Sequence, residues 1–169
     1  MEELLCGIAL ELPLPLLLIM LSEYVLYTFG VYKTCVKTKQ PNPVICCIPF
    51  NTYASLGKMV GKKRLGLATM GTSILWTLLG VLYFAFIVPI AYDYFSINAA
   101  LPQYIAGCTA CLLCAFLAAF VCQLLLYASV SQAFGHGTFL GAMLILVPGI
   151  TMTVIGCSKK FVLKKVDYA

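Results

Sequence analysis

Charge is scarce in this chain, and so are the usual residues of catalysis. Only 10% of its 169 residues are charged and 62% are hydrophobic, with a mean hydropathy of +1.00. Soluble domains carry roughly 25% charged residues, so the composition excludes an ordinary water-soluble globule and points to a bilayer. Histidine occurs once, at His136 in a Gly-His-Gly turn, and without a second imidazole a metal site is not expected there. There is no G-x-S-x-G elbow, no H-E-x-x-H helix and no phosphate-binding glycine loop. Ser22 and Glu23 are adjacent, hence on different helix faces, and make no catalytic pair. No catalytic residue, metal or cofactor is expected.

Lysine and arginine are absent from residues 1–32 and 65–158. All eleven basic residues fall in two clusters. The first holds Lys33, Lys37, Lys39, Lys58, Lys62, Lys63 and Arg64, and the second Lys159, Lys160, Lys164 and Lys165. Basic segments are retained on the cytoplasmic side during insertion, so both clusters are expected there, as topology determinants and lipid-headgroup contacts. No nucleic-acid-binding signature accompanies them. The first apolar run lacks the basic leader of a cleavable signal peptide, so it should persist as a span with the N-terminus external.

The hydrophobic pattern predicts an all-α, polytopic integral membrane protein formed by a single membrane domain over residues 1–169. Three full spans are expected at about 15–32, 65–90 and 101–127. The first is 18 residues long, about 27 Å of helix, just enough for a hydrocarbon core. Pro13 and Pro15 suit its start, where a missing N–H costs nothing. Two further apolar segments, about 44–56 and 138–156, are each broken by proline. The first is too short to span and has lysine on both sides, so it should be re-entrant or lie at the interface. For the second, length favours a fourth crossing, but crossing would export the basic tail 157–169. The charge rule favours re-entry at Pro148-Gly149. Paired broken segments of this kind sometimes build a transporter's binding site.

The residues "KTKQPNPVICCIPFNTYASLGKMVGKK" and "FGHGTFLGAMLILVP" resemble a family of small bacterial polytopic membrane proteins of unknown function. Its members carry a Gly/Pro-rich turn, then IPxYNxY, then a Lys and a Gly-Lys or Gly-Arg, and later FGKGxxFxxGLxLLP. The resemblance covers residues 33–63 and 126–157. It departs at Val44, where the family has an aromatic, by one residue missing from the IPxYNxY run, and at His136, which replaces a basic residue. It implies a membrane architecture and no activity.

Two features could carry chemistry. Glu23 lies near the middle of the first span, where an ionised carboxylate is costly, so it should face protein or water with a raised pKa. It is either a proton or cation site or a protonated structural glue, with Gln123 one candidate neighbour. Cys108 and Cys111 form a CxxC motif and, with Cys114, line one helix face. They suit thiol redox chemistry or, as small residues, close helix packing. The nine cysteines are otherwise placed against a disulfide framework, since Cys35, Cys46, Cys47 and Cys157 adjoin the basic clusters. The best functional expectation is a non-enzymatic subunit of a transport or export complex in the cell membrane, with a membrane-protein partner or a second copy of itself. A small self-assembling transporter or channel using Glu23, and a membrane thiol oxidoreductase using Cys108 and Cys111, are the alternatives.

Overall fold

A computed structural model describes residues 13–87, 101–135 and 137–163, and these are helices joined by turns, with no strand among them. Helix α1 spans Pro13–Lys37. It runs past the expected end at Tyr32 because Val31, Thr34 and Cys35 are fully buried, so packing holds the last turns helical while Lys33 stays exposed. The helix stops where Lys39 takes a left-handed φ of 55°, with the Gln40 N–H closing on the Cys35 carbonyl at 3.0 Å. Pro41 prevents any continuation.

The first proline-broken segment becomes a 3-10 turn, Pro43–Cys47, and helix α2, Asn51–Met59. Gly61, at φ 77°, then turns the chain into helix α3, Lys63–Leu82, which loosens into a π-helical turn at Tyr83–Ile87. Helices α2 and α3 touch through glycine: a Cβ on Gly57 would lie 2.5 Å from the Gly66 Cα.

Helix α4 is Leu101–Ala133. It lies antiparallel to α3 in a constant register. Lys62 donates to the Ser129 hydroxyl at 3.0 Å, Thr69 to the Cys122 carbonyl at 3.3 Å, and Tyr83 meets Thr109 at 2.9 Å. Between them the Trp76 and Phe116 rings are 5.5 Å apart. The segments Lys63–Phe86 and Gln103–Ala133 are long and apolar enough to cross a membrane.

The second broken segment forms helix α5, Thr138–Leu146, and helix α6, Pro148–Cys157, which fold back on each other. Pro148 cannot donate to the preceding turn, and Val147 leaves the helical region with φ −139° and ψ 69°. The Thr151 hydroxyl spans the bend, 3.1 Å from the Met143 carbonyl and 2.8 Å from that of Val147. Helix α5 descends along the end of α4, with Gly141 against Ser131. Helix α6 returns parallel to α1, with Gly149 beside Glu23, Met152 and Thr153 against Gly30, and Gly156 against Gly30 and Thr34. Both broken segments thus pack at the basic end of the molecule, against the C-terminal halves of α1 and α4. The core gathers there: Val31, Leu56, Met59, Leu126, Val130, Leu144, Met152 and Ile155 are sealed from solvent. Farther along α3 and α4, Leu78, Val81, Leu113 and Leu117 are exposed over more than half their surface.

Candidate functional site

The α1–α6 pair is held by glycine. A Cβ on Gly30 would strike the Met152 carbonyl carbon and the Thr153 nitrogen, and one on Gly156 would lie 2.7 Å from the Gly30 carbonyl oxygen. Backbones this close leave no room for side chains between them, and small residues are what permit such an approach. Thr153 adds an interhelical hydrogen bond, donating to the Leu26 carbonyl at 2.8 Å.

Glu23 sits at the start of this contact. Its Oε2 accepts the Gly149 backbone N–H at 3.0 Å. The first-turn N–H groups of a helix have no partner within it, and they carry the positive end of the helix dipole. The half-buried carboxylate of α1 therefore acts as the N-terminal cap of α6, supplied from another helix. Gly149 is required for this, because a Cβ there would occupy the position of the carboxylate.

At the opposite end of α6 the polarity is complementary. The Lys37 ammonium donates to the Ser158 carbonyl at 2.6 Å and lies 3.3 Å from that of Ile155. A cation at a helix C-terminus satisfies carbonyls that lack intrahelical donors. One acid and one base from α1 thus bracket α6.

Gln123 does not meet Glu23. Its Nε2 donates to the Tyr53 hydroxyl at 2.9 Å, and Tyr53 belongs to a cluster of three tyrosines. The Tyr27 ring lies 6.3 Å from that of Tyr53 and 6.5 Å from that of Tyr127, and the Tyr127 hydroxyl reaches that of Tyr27 at 3.4 Å. This polar cluster joins α1, α2 and α4 inside the core and was not signalled by the sequence pattern, since its members lie on separate segments.

Cys108, Cys111 and Cys114 are free and exposed on α4. Cys108 and Cys111 face a shallow groove of about 490 Å³ with Leu79, Tyr83 and Tyr104. The two sulfurs that do come together are those of Cys35 and Cys46, 2.9 Å apart.

Of the basic residues, Lys33 stands over the Phe29 ring at 5.5 Å. Lys39, Lys58, Lys63, Arg64, Lys159 and Lys160 are exposed. Lys164, Lys165 and His136 lie outside the described residues, as does the end of the expected second span at 88–90. No group of three or more metal-ligating side chains occurs among the described residues. No protein-family model matches the chain, and no curated protein or solved structure matches it.

Proposed function

We propose that the protein is a polytopic membrane subunit of a transport or export assembly, without catalytic chemistry of its own. In this reading α1, α3 with its π-helical turn, and α4 are the three spans. The segments 43–59 and 138–157 enter from the basic side and return to it. The basic loop 33–64 and the tail are cytoplasmic, and the N-terminus is external. The carrying observation is the parallel pairing of α6 with α1, from Glu23–Gly149 to Lys37–Ser158. This pairing brings the chain back to the lysine side, as the distribution of basic residues requires. The exposed apolar length of α3 and α4 supports bilayer contact, since a surface of that kind is not left to water. The likeness of residues 33–63 and 126–157 to a family of small bacterial membrane proteins supports the same architecture.

Broken helices whose N-termini bind anionic groups are a feature of transporters. Here that position is filled by the protein's own carboxylate, which supports Glu23 as a structural element. The second reading, a self-assembling transporter, draws on the same residue, because an acid at a broken helix could release its cap to bind a cation or a cationic substrate. Purification in mild detergent separates the two. A stoichiometric heteromeric complex is expected, and a pure homo-oligomer whose cation flux is lost in Glu23→Gln would favour the transporter.

A further inference from the structure

Cys35 and Cys46 serve neither the α6 caps nor the tyrosine cluster, yet their side chains are placed against each other with 0% and 3% exposure. Their sulfurs are 2.9 Å apart, so forming a covalent bond of about 2.05 Å needs them to close by only about 0.9 Å. The approach is built locally. The end of α1 is wound tight by the Thr38 and Gln40 N–H groups, bonded to the Thr34 and Cys35 carbonyls at 2.9 and 3.0 Å. Left-handed residues at Lys39 and Asn42 then reverse the chain, and the 3-10 turn lays Cys46 over Cys35.

A buried cysteine ordinarily behaves as a small, inert apolar group. This pair differs. Cys46 is held below the ordinary thiol value, chiefly by the hydrogen bond from Cys35. That effect outweighs burial, and the Ser55 side chain and the Lys58 charge add to it. Cys46 is also the less deeply buried of the two, at 3% exposure against 0% for Cys35, so it takes the part of the nucleophile and Cys35 that of the resolving thiol.

We propose that Cys35 and Cys46 are a dithiol oxidation site, which hydrogen peroxide converts into an intramolecular disulfide stapling the 3-10 turn to the end of α1. The Cys46 thiolate attacks one peroxide oxygen and the O–O bond breaks. Cys46 becomes a sulfenic acid, and the departing hydroxide takes a proton to become water. The Cys35 sulfur then attacks the Cys46 sulfur and the S–O bond breaks. The second hydroxide leaves with the Cys35 proton, again as water. Two thiols have given two electrons to one peroxide, and the products are one disulfide and two waters. The depth of the pair selects a small oxidant over a bulky disulfide, which would have to reach a buried sulfur in line with the attacking thiolate. The staple fixes the chain that leads through Pro49 into α2, and so fixes the helix that carries Tyr53 to Gln123.

The test uses the full-length chain in mild detergent, reduced and then treated with dilute hydrogen peroxide. Free thiols are counted by alkylation after denaturation, and peptides are mapped without reduction. Trypsin should yield Thr34–Lys37 linked to Gln40–Lys58, with two of the nine thiols lost together and both restored by dithiothreitol. Cys47→Ala should keep the link and Cys46→Ala should lose it. Cys35→Ala should lose it as well. Full alkylation of Cys35 and Cys46 after peroxide in the wild-type chain would overturn the proposal, and so would a link that persists in Cys46→Ala.

Discussion

Replacing Glu23 by leucine removes the acceptor for the Gly149 N–H and leaves that donor at the start of α6 without a partner. The bond is 3.0 Å and runs to a carboxylate, the class of hydrogen bond worth about 1.5–3 kcal/mol. Loss of the favourable charge at the helix N-terminus adds roughly 0.3–1 kcal/mol. Glu23→Leu should therefore destabilise the fold by about 2–4 kcal/mol. Glu23→Gln keeps an oxygen acceptor on a side chain of the same length. It loses only the charge and should cost about 1 kcal/mol or less. Each kilocalorie corresponds to roughly 2–4 °C in Tm for a chain of this size. The leucine variant should thus unfold about 4–16 °C below the wild type and the glutamine variant within a few degrees of it. Scanning thermal unfolding of detergent-solubilised protein, followed by tryptophan fluorescence from Trp76 and by circular dichroism, gives the comparison. A leucine variant as stable as the wild type would refute the capping argument. So would a glutamine variant as damaged as the leucine one, because the hydrogen bond would then not be what Glu23 supplies.

Gly30→Ala should be more harmful than its size suggests, since its Cβ meets backbone atoms of Met152 and Thr153 and α6 must move away as a unit. A loss of about 1–3 kcal/mol is expected, whereas Gly71→Ala, which meets nothing within 4 Å, should be neutral or slightly stabilising in the same unfolding assay. Changing Cys108 and Cys111 together to alanine should leave abundance, assembly and Tm nearly unchanged, because both are exposed and alanine leaves no cavity behind. A large loss of function at normal abundance would restore the redox reading of that pair.

The helices were legible in the sequence because apolar run length and proline placement act locally. Pro43 opens the 3-10 turn, Pro49 separates that turn from α2, and Pro148 opens α6. Helix boundaries were less legible. The continuation of α1 to Lys37 depends on Cys35 and Thr34 meeting partners from the 3-10 turn and α6, and no local propensity encodes that. Glu23 stood out because an acid in an apolar run is costly, but its partner did not, because a backbone N–H has no sequence signature. Pro148-Gly149 was the available clue: proline opens helices, and the glycine after it leaves room for an incoming carboxylate. Gln123 and Tyr53, or Cys35 and Cys46, could be joined only by the fold, since each pair is assembled from different helices or turns.

The return of the chain to the basic side is the claim on which the rest depends, and the exposed thiols Cys47 and Cys157 report on it directly. Single-cysteine variants retaining one or the other would be challenged with a membrane-impermeant maleimide, in intact cells and again after permeabilisation. Both thiols should be shielded in intact cells and labelled once the membrane is opened. Labelling of Cys157 in intact cells, with Cys47 still shielded, would mean that residues 138–157 cross the bilayer, and the paired α1–α6 architecture would be contradicted.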